Sequence, residues 1–198
     1  MFDVKRLVEL CRKSGYIFRL EGDDPTLVLV GEGHKVDCLL GQERIIEVVS
    51  PKVILHEAAD PKLSYRDHTR IILGWESKYD VPVELCDIPY QNDDNQLASK
   101  RGLEHSLFPV LKKFGFGGHY NVLLDMTNAL REHIMGDRIY QHVEDGNLPL
   151  VAVVGDGHVI PGSKIHNQLR ENDISYLSIV QNPEVLEGLR ELGDFFEK

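Results

Sequence analysis

Residues 27–34 read LVLVGEGH, and residues 150–158 read LVAVVGDGH. Each begins with a continuous apolar run, which predicts a strand buried on both faces, as in parallel sheets. Each run ends in Gly-acid-Gly-His, where the glycines allow the chain to turn sharply. We call residues 31–34 the first turn and residues 155–158 the second turn. The carboxyl ends of parallel strands form the edge at which such sheets bind ligands, so the repeat predicts one polar site shared by both turns.

The rest of the chain alternates between helix and strand patterns. Hydrophobic periodicity and capping residues predict helices at 4–13, 37–49, 64–79, 103–113, 120–144, 163–171 and 183–197. Further β-rich runs predict strands at 16–20, 52–57, 81–87 and 175–180. Turn residues between the runs at 16–20 and 26–30 predict an N-terminal β-hairpin. We therefore expect a single α/β domain over residues 1–198, with a mostly parallel central sheet flanked by helices.

The composition limits the class of partner. The formal net charge is −10, whereas nucleic acids and anionic membranes are bound by basic surfaces. No segment approaches the run of about 18 apolar residues that a membrane helix needs. The three cysteines form no CxxC pair, and the N-terminus has no secretory signal pattern. We therefore expect a cytoplasmic protein with a small-molecule or peptide substrate, and homo-oligomerisation stays open.

Two histidines, His34 and His158, close the repeated turns. Imidazole at the carboxyl edge of a sheet can serve as a base near neutral pH or as a metal ligand. A single Gly-x-x-His is more often a tight turn whose imidazole caps a helix, but its duplication at equivalent positions favours a shared site. A dinucleotide-binding turn is disfavoured because Val36 stands where the third glycine of G-x-G-x-x-G would be.

Acidic residues end the next two predicted strands. Glu57 and Asp87 should therefore lie at the same edge as His34, where an acid is either solvated or functional. His56 alternates with Glu57 and should point to the opposite face of the sheet, which excludes it from the site. Surface positions are expected for five other histidines: His68, His105, His119, His142 and His166.

The long predicted helix carries an arginine on its apolar side. Leu124, Arg131 and Met135 are separated by seven and four residues, so they share one stripe of the helix. A buried arginine requires an acidic partner or an anionic ligand. The alternative is an arginine at the helix edge whose charge reaches solvent. Glu132 and Asp137 lie on the same helix, and a solvent-exposed position is an open alternative for both side chains.

Taken in order, these residues resemble the superfamily that groups TraB/PrgY proteins, Tiki proteases, erythromycin esterases and ChaN-like haem-binding proteins. In that pattern a strand ends in Gly-x-x-His, the next strand ends in Glu, a helix carries an Arg–acid pair, and a second strand ends in Gly-x-x-His. This chain has the two turns, Glu57 and Arg131-Glu132, within a match over residues 26–180. Its helix reads Leu130-Arg131-Glu132, whereas the family usually reads Glu-Arg-Asp.

The resemblance implies an erythromycin esterase- or ChaN-like α/β fold with both histidines at a central cleft. The activities within the superfamily are metal-dependent peptide cleavage, metal-independent ester hydrolysis and haem binding. The resemblance to this superfamily therefore predicts where the site lies more closely than it predicts which reaction takes place there.

We expect a hydrolase of an ester or amide. One histidine, with Glu57, would activate water either directly or through a divalent metal such as Mn, Co or Zn. The expected metal ligands are His34, Glu57 and His158, because two histidines and a carboxylate can hold a catalytic ion. Arg131 would stabilise an oxyanion or hold an anionic substrate group. Supporting positions are expected for Glu32, Asp87, Glu132 and Asp156.

The alternative is a binding protein without turnover. The same cleft and the same residues would then hold a metal, haem or a small anionic ligand. The absence of a CxxCH motif and of an obvious exposed axial tyrosine disfavours haem.

Overall fold

A computed structural model describes residues 2–33, 36–87, 120–160 and 162–181, without the side chains of residues 36 and 120–128. The helices are α1 Val4–Ser14, α2 Val36–Val49, α3 Asp67–Tyr79, α4 Tyr120–Glu144 and α5 Lys164–Glu171. The strands are β1 Ile17–Glu21, β2 Leu27–Glu32, β3 Val53–His56, β4 Val83–Leu85, β5 Leu150–Gly155 and β6 Tyr176–Val180. His34 and the predicted helices at 103–113 and 183–197 lie outside the described residues.

The described strands form one six-stranded mixed sheet with the order β1-β6-β2-β5-β3-β4. All neighbouring pairs are parallel except β1 and β6, so a mostly parallel sheet is confirmed. The predicted N-terminal hairpin is wrong. β6 pairs with β2 along Leu27–Gly31 and separates it from β1, which becomes an antiparallel edge strand. The apolar run of β2 suits this central position, because both of its faces are buried.

Helices cover both faces of the sheet. On one face, α1, α2 and α3 pack on alternate strand residues such as Val28, Val30 and Ile54. On the other face, α4 and α5 pack on the intervening residues, such as Leu29 and Leu55. The result is a three-layer α/β/α arrangement. None of the helices in the described part of the chain is long and apolar enough to cross a membrane.

His166 departs from its predicted surface position. It lies on the inner side of α5 with only 2 % of its surface exposed, and the Tyr176 hydroxyl contacts its Nδ1. Burial lowers the pKa of His166, assisted by Arg170 and Arg19 and opposed by Glu21. The sequence did not reveal this because the apolar stripe of α5 consists only of Ile165 and Leu169, and His166 lies beside that pair rather than between them.

The lowered pKa of His166 predicts a pH effect on stability. An unfolded histidine takes up a proton near pH 6.5, whereas the folded side chain stays neutral to lower pH. Its contribution is therefore complete above about pH 6.5 and is lost as the pH falls from there through the folded pKa. We expect acidification from pH 7.5 to pH 5.5 to lower the urea midpoint of the wild type more than that of His166→Gln. An equal drop in both proteins would contradict this assignment.

Candidate active site

The chain reverses its winding direction between β2 and β5. β2 leads into α2 on one face of the sheet, whereas β5 leads into α5 on the other. Such a switch point opens a crevice at the carboxyl ends of the two strands, where open α/β sheets bind ligands. Gly31 pairs with Val154, and Glu32 pairs with Gly155. The carboxyl ends of β2 and β5, from which the two turns start, therefore lie side by side in the sheet.

Gly31 is required by the close approach of the two turns. A Cβ atom at this position would lie 2.5 Å from Val159 Cγ2 and 3.0 Å from Asp156 Oδ1. Any larger side chain would therefore displace the second turn. Asp156 itself is buried at the start of that turn.

Glu57 fixes the beginning of the second turn. Its main-chain N–H donates to the Val153 carbonyl at 3.0 Å, which extends the β3–β5 pairing by one residue. Its carboxylate Oε2 accepts a hydrogen bond from the Gly155 N–H at 2.8 Å. The predicted location of Glu57 at the shared edge thus corresponds to a direct contact with the second turn.

His158 forms a hydrogen-bonded pair with Glu132 from α4. The distance from His158 Nδ1 to Glu132 Oε1 is 2.9 Å, and Glu132 Oε2 accepts from the Lys164 main-chain N–H at 3.0 Å. Burial acts to raise the pKa of Glu132, but the hydrogen bonds and charges of His158 and Lys164 bring it below the usual carboxyl value. An ionised Glu132 accepts the proton on Nδ1, which leaves the lone pair of the neutral imidazole on Nε2.

Arg131 is buried and paired with Asp87. Its Nε lies 2.8 Å and 3.1 Å from the two carboxylate oxygens, and Nη2 also donates to Oδ2. Burial opposes the charge of Arg131, yet the hydrogen bonds of Asp87 and the charges of Asp87 and Glu57 raise its pKa. The predicted inward orientation of Arg131 is therefore confirmed, and Asp87 is its acidic partner.

Arg138, one further residue of α4, has a role that the sequence did not predict. Its Nη1 donates to the Leu85 carbonyl at 2.6 Å and to the Asp87 carbonyl at 2.8 Å, so it holds the end of β4. Cys86 lies between these two carbonyls. Burial, together with the charges of Glu57 and Asp87, raises the pKa of its thiol well above the usual value. Cys86 is therefore protonated at neutral pH and is a poor nucleophile.

Glu32 lies on the other face of the sheet. Because side chains alternate along β2, Glu32 shares the face of Val28 and Val30 and points toward α2. Gln42 Nε2 donates to its Oε2 at 2.6 Å. In the described residues, the second turn is thus oriented by Glu57 and Glu132, and Glu32 belongs to a separate group.

This separate group contains two histidines. His56 Nε2 and His68 Nε2 lie 3.8 Å and 3.6 Å from the Glu32 carboxylate. The predicted opposite face for His56 is confirmed, whereas the predicted surface position of His68 is wrong, since its Nε2 is buried. The signal available in the sequence was Gln42, a polar residue on the apolar stripe of α2 formed by Leu39 and Ile46.

The group around Glu32 is poorly suited to a metal ion. The Ala58 N–H donates to His56 Nδ1 at 3.0 Å, so the neutral ring carries its proton on Nε2, the atom that faces Glu32. A metal ligand needs a lone pair on that atom. Across the described ranges, no group of three or more His, Cys, Asp or Glu side chains could hold a metal ion.

The structure thus gathers most of the predicted site residues on the α4/α5 side of the sheet edge. Glu57 contacts the second turn, Glu132 contacts His158, and Asp87 contacts Arg131. Comparison of the chain with protein-family models, with curated proteins and with solved structures gives no match. The superfamily resemblance therefore stays a prediction.

Proposed function

We propose that this protein hydrolyses an ester or amide bond and that His158 acts as the general base. The observation that carries the proposal is the His158–Glu132 pair, which follows the carboxyl end of β5 at the switch point between β2 and β5. A carboxylate on Nδ1 keeps the imidazole in the tautomer whose Nε2 accepts a proton. Nε2 would take a proton from water as the water oxygen attacks the substrate carbonyl, and the carbonyl oxygen becomes the oxyanion. The C–O or C–N bond would then break as the oxyanion re-forms the carbonyl, and the protonated imidazole would return its proton to the leaving alcohol or amine.

Glu132 and Glu57 have different roles in this proposal. Glu132 holds the imidazole and stabilises the positive charge that the ring acquires when it takes up a proton. Glu57 accepts a hydrogen bond from the Gly155 N–H and thereby fixes the main chain that leads to His158. Both carboxylates thus act on the second turn from neighbouring elements, β3 and α4.

Among the contacts of the described residues, the pair with Asp87 engages only part of the Arg131 guanidinium, and the rest is proposed to bind the substrate. Its Nε and Nη2 each donate to Asp87, and a guanidinium has five N–H donors in all, so this carboxylate leaves three of them unengaged. Because the carboxylate balances the guanidinium charge, Arg131 suits a neutral carbonyl that becomes an oxyanion better than a preformed anion.

A divalent metal would lower the pKa of a bound water, and the proposed ligands are His34, Glu57 and His158. The described part of the chain includes two of them. A ligating histidine commonly donates its second ring N–H to a carboxylate, as His158 does to Glu132. Glu57, however, already binds the Gly155 N–H through Oε2.

The proposal is tested by assaying the purified protein with p-nitrophenyl acetate and with a peptidyl aminomethylcoumarin amide. We expect turnover of at least one probe above the rate in buffer. Turnover of neither would overturn the proposal. A Soret band, or stoichiometric metal without turnover, would instead support the binding protein.

We expect hydrolysis to persist after dialysis against EDTA, because the His158–Glu132 pair provides the base without an ion. The rate should stay within about twofold of the untreated protein, against a loss of 10²-fold or more expected for removal of a catalytic group. A loss that is restored by Mn²⁺, Co²⁺ or Zn²⁺ would contradict this and assign His34, Glu57 and His158 as ligands.

A further inference from the structure

Ser163 lies at the junction between the second turn and α5. It is the N-cap residue of that helix, and its side chain is buried. Its Oγ accepts a hydrogen bond from the His166 N–H at 3.2 Å and donates one to the His158 carbonyl at 2.8 Å. A hydroxyl can do both because it has one donor and two acceptor positions.

Capping of α5 explains only one of the two hydrogen bonds that the Ser163 hydroxyl makes. An N-cap side chain satisfies an amide of the first helical turn, and the bond from the His166 N–H does so. The bond to the His158 carbonyl contributes nothing to the cap. It ties the main chain of His158 to the beginning of α5.

The side chain of His158 is tied to the same place by a second route. Its Nδ1 contacts Glu132 Oε1, and Glu132 Oε2 accepts from the N–H of Lys164, the residue after Ser163. The carbonyl of His158 is thus hydrogen-bonded to Ser163, and its imidazole is linked through Glu132 to Lys164, the next residue at the start of α5. A shift of the main chain at His158 would therefore change the geometry of the pair with Glu132.

We propose that Ser163 is a positioning residue, whose hydroxyl holds the His158 main chain so that the imidazole stays aligned with Glu132. The kinetic part of this inference rests on the proposed hydrolase function. The structural part concerns the tautomer and hydrogen bond of His158, which can be measured without any substrate.

The test compares Ser163→Ala with Ser163→Thr, because threonine keeps both the cap and the donor. The matched control is Asp3→Ala, which removes the N-cap of α1, whose carboxylate accepts from the Arg6 N–H at 3.0 Å. This control loses the cap of a helix that packs on the other face of the sheet from α5. Nitrogen-15 NMR of the histidine rings, with His158→Gln to assign the signal, reports the protonation of Nδ1 and Nε2.

In the wild type, Ser163→Thr and Asp3→Ala, we expect one His158 signal with the proton on Nδ1. In Ser163→Ala we expect exchange between tautomers and a fall in kcat of about tenfold with KM unchanged, since misplacement of a catalytic group by about 1 Å can cost up to about 100-fold. An unchanged His158 signal in Ser163→Ala would overturn the inference. A wild type with no turnover would overturn the hydrolase proposal alone, since the ring signal would still decide the role of Ser163.

Discussion

The His158→Gln variant is expected to hydrolyse p-nitrophenyl acetate about 10²- to 10⁴-fold more slowly than the wild type, the contribution usual for a general base. Glutamine removes the proton-accepting Nε2 but keeps an amide that can donate to Glu132. The fold should therefore be retained, as judged by circular dichroism and the urea midpoint. The loss should appear in kcat, because the proton transfer occurs in the transition state.

The matched control for this loss is His133→Gln. His133 lies on α4 next to Glu132 and also pairs with a carboxylate, since its Nε2 is 3.4 Å from Asp137, but its side chain is 62 % exposed. This variant should retain the wild-type rate within about twofold, because a solvated pair of this kind contributes little to structure. If both variants lose activity equally, or if neither does, His158 is not the base.

Local patterns predicted the elements that carry the candidate site. The helix predicted at 120–144 has those limits in the structure, and Arg131 and Met135 both lie on its buried side. This success follows from the 3.6-residue period, which depends only on neighbouring turns of the same helix. Likewise, the apolar runs of β2 and β5 predicted buried strands because a sheet covered on both faces needs no polar alternation.

Pairings between distant segments were less accessible from the sequence. The turn residues between β1 and β2 are compatible with a hairpin, but β6, which follows some 150 residues later, occupies the edge of β2. Local turn chemistry gives no information on that competition. The same limit applies to Glu32, since strand alternation puts it beside Val30 but does not say that α2 supplies Gln42 opposite it.

The contact between Glu132 and His158 could not be predicted from the sequence for a related reason. On α4 it is adjacent to the buried Arg131, so helical geometry turns it away from the Arg131 stripe and makes a solvated position plausible. Only the return of the chain through the second turn and α5 brings His158 and the Lys164 N–H to it. Arg131, in contrast, could be assigned an acidic partner or an anionic ligand in advance, because a buried guanidinium requires one or the other.

The need of the buried Arg131 guanidinium for a partner, which is Asp87, predicts the largest effect on stability. Asp87→Ala would leave the guanidinium of Arg131 without its carboxylate, at a position where only 8 % of Arg131 and 7 % of Asp87 is exposed. We expect the free energy of unfolding to fall by about 3–5 kcal/mol, the usual cost of removing one partner of a buried ion pair. Urea denaturation followed by tryptophan fluorescence measures this loss through Trp75, which lies in the core.

Two further variants separate the ion pair from other contacts of Asp87. Arg70→Ala breaks an exposed pair with Asp67 on α3 and should cost less than about 1 kcal/mol. Asp87→Ala combined with Arg131→Met removes both buried charges, and it should be more stable than Asp87→Ala alone because no charge is left uncompensated. A double variant as unstable as the single one would contradict this explanation and assign the role of Asp87 to its other contacts. Recovery in the double variant would show that the cost arises from the buried charge of Arg131 itself.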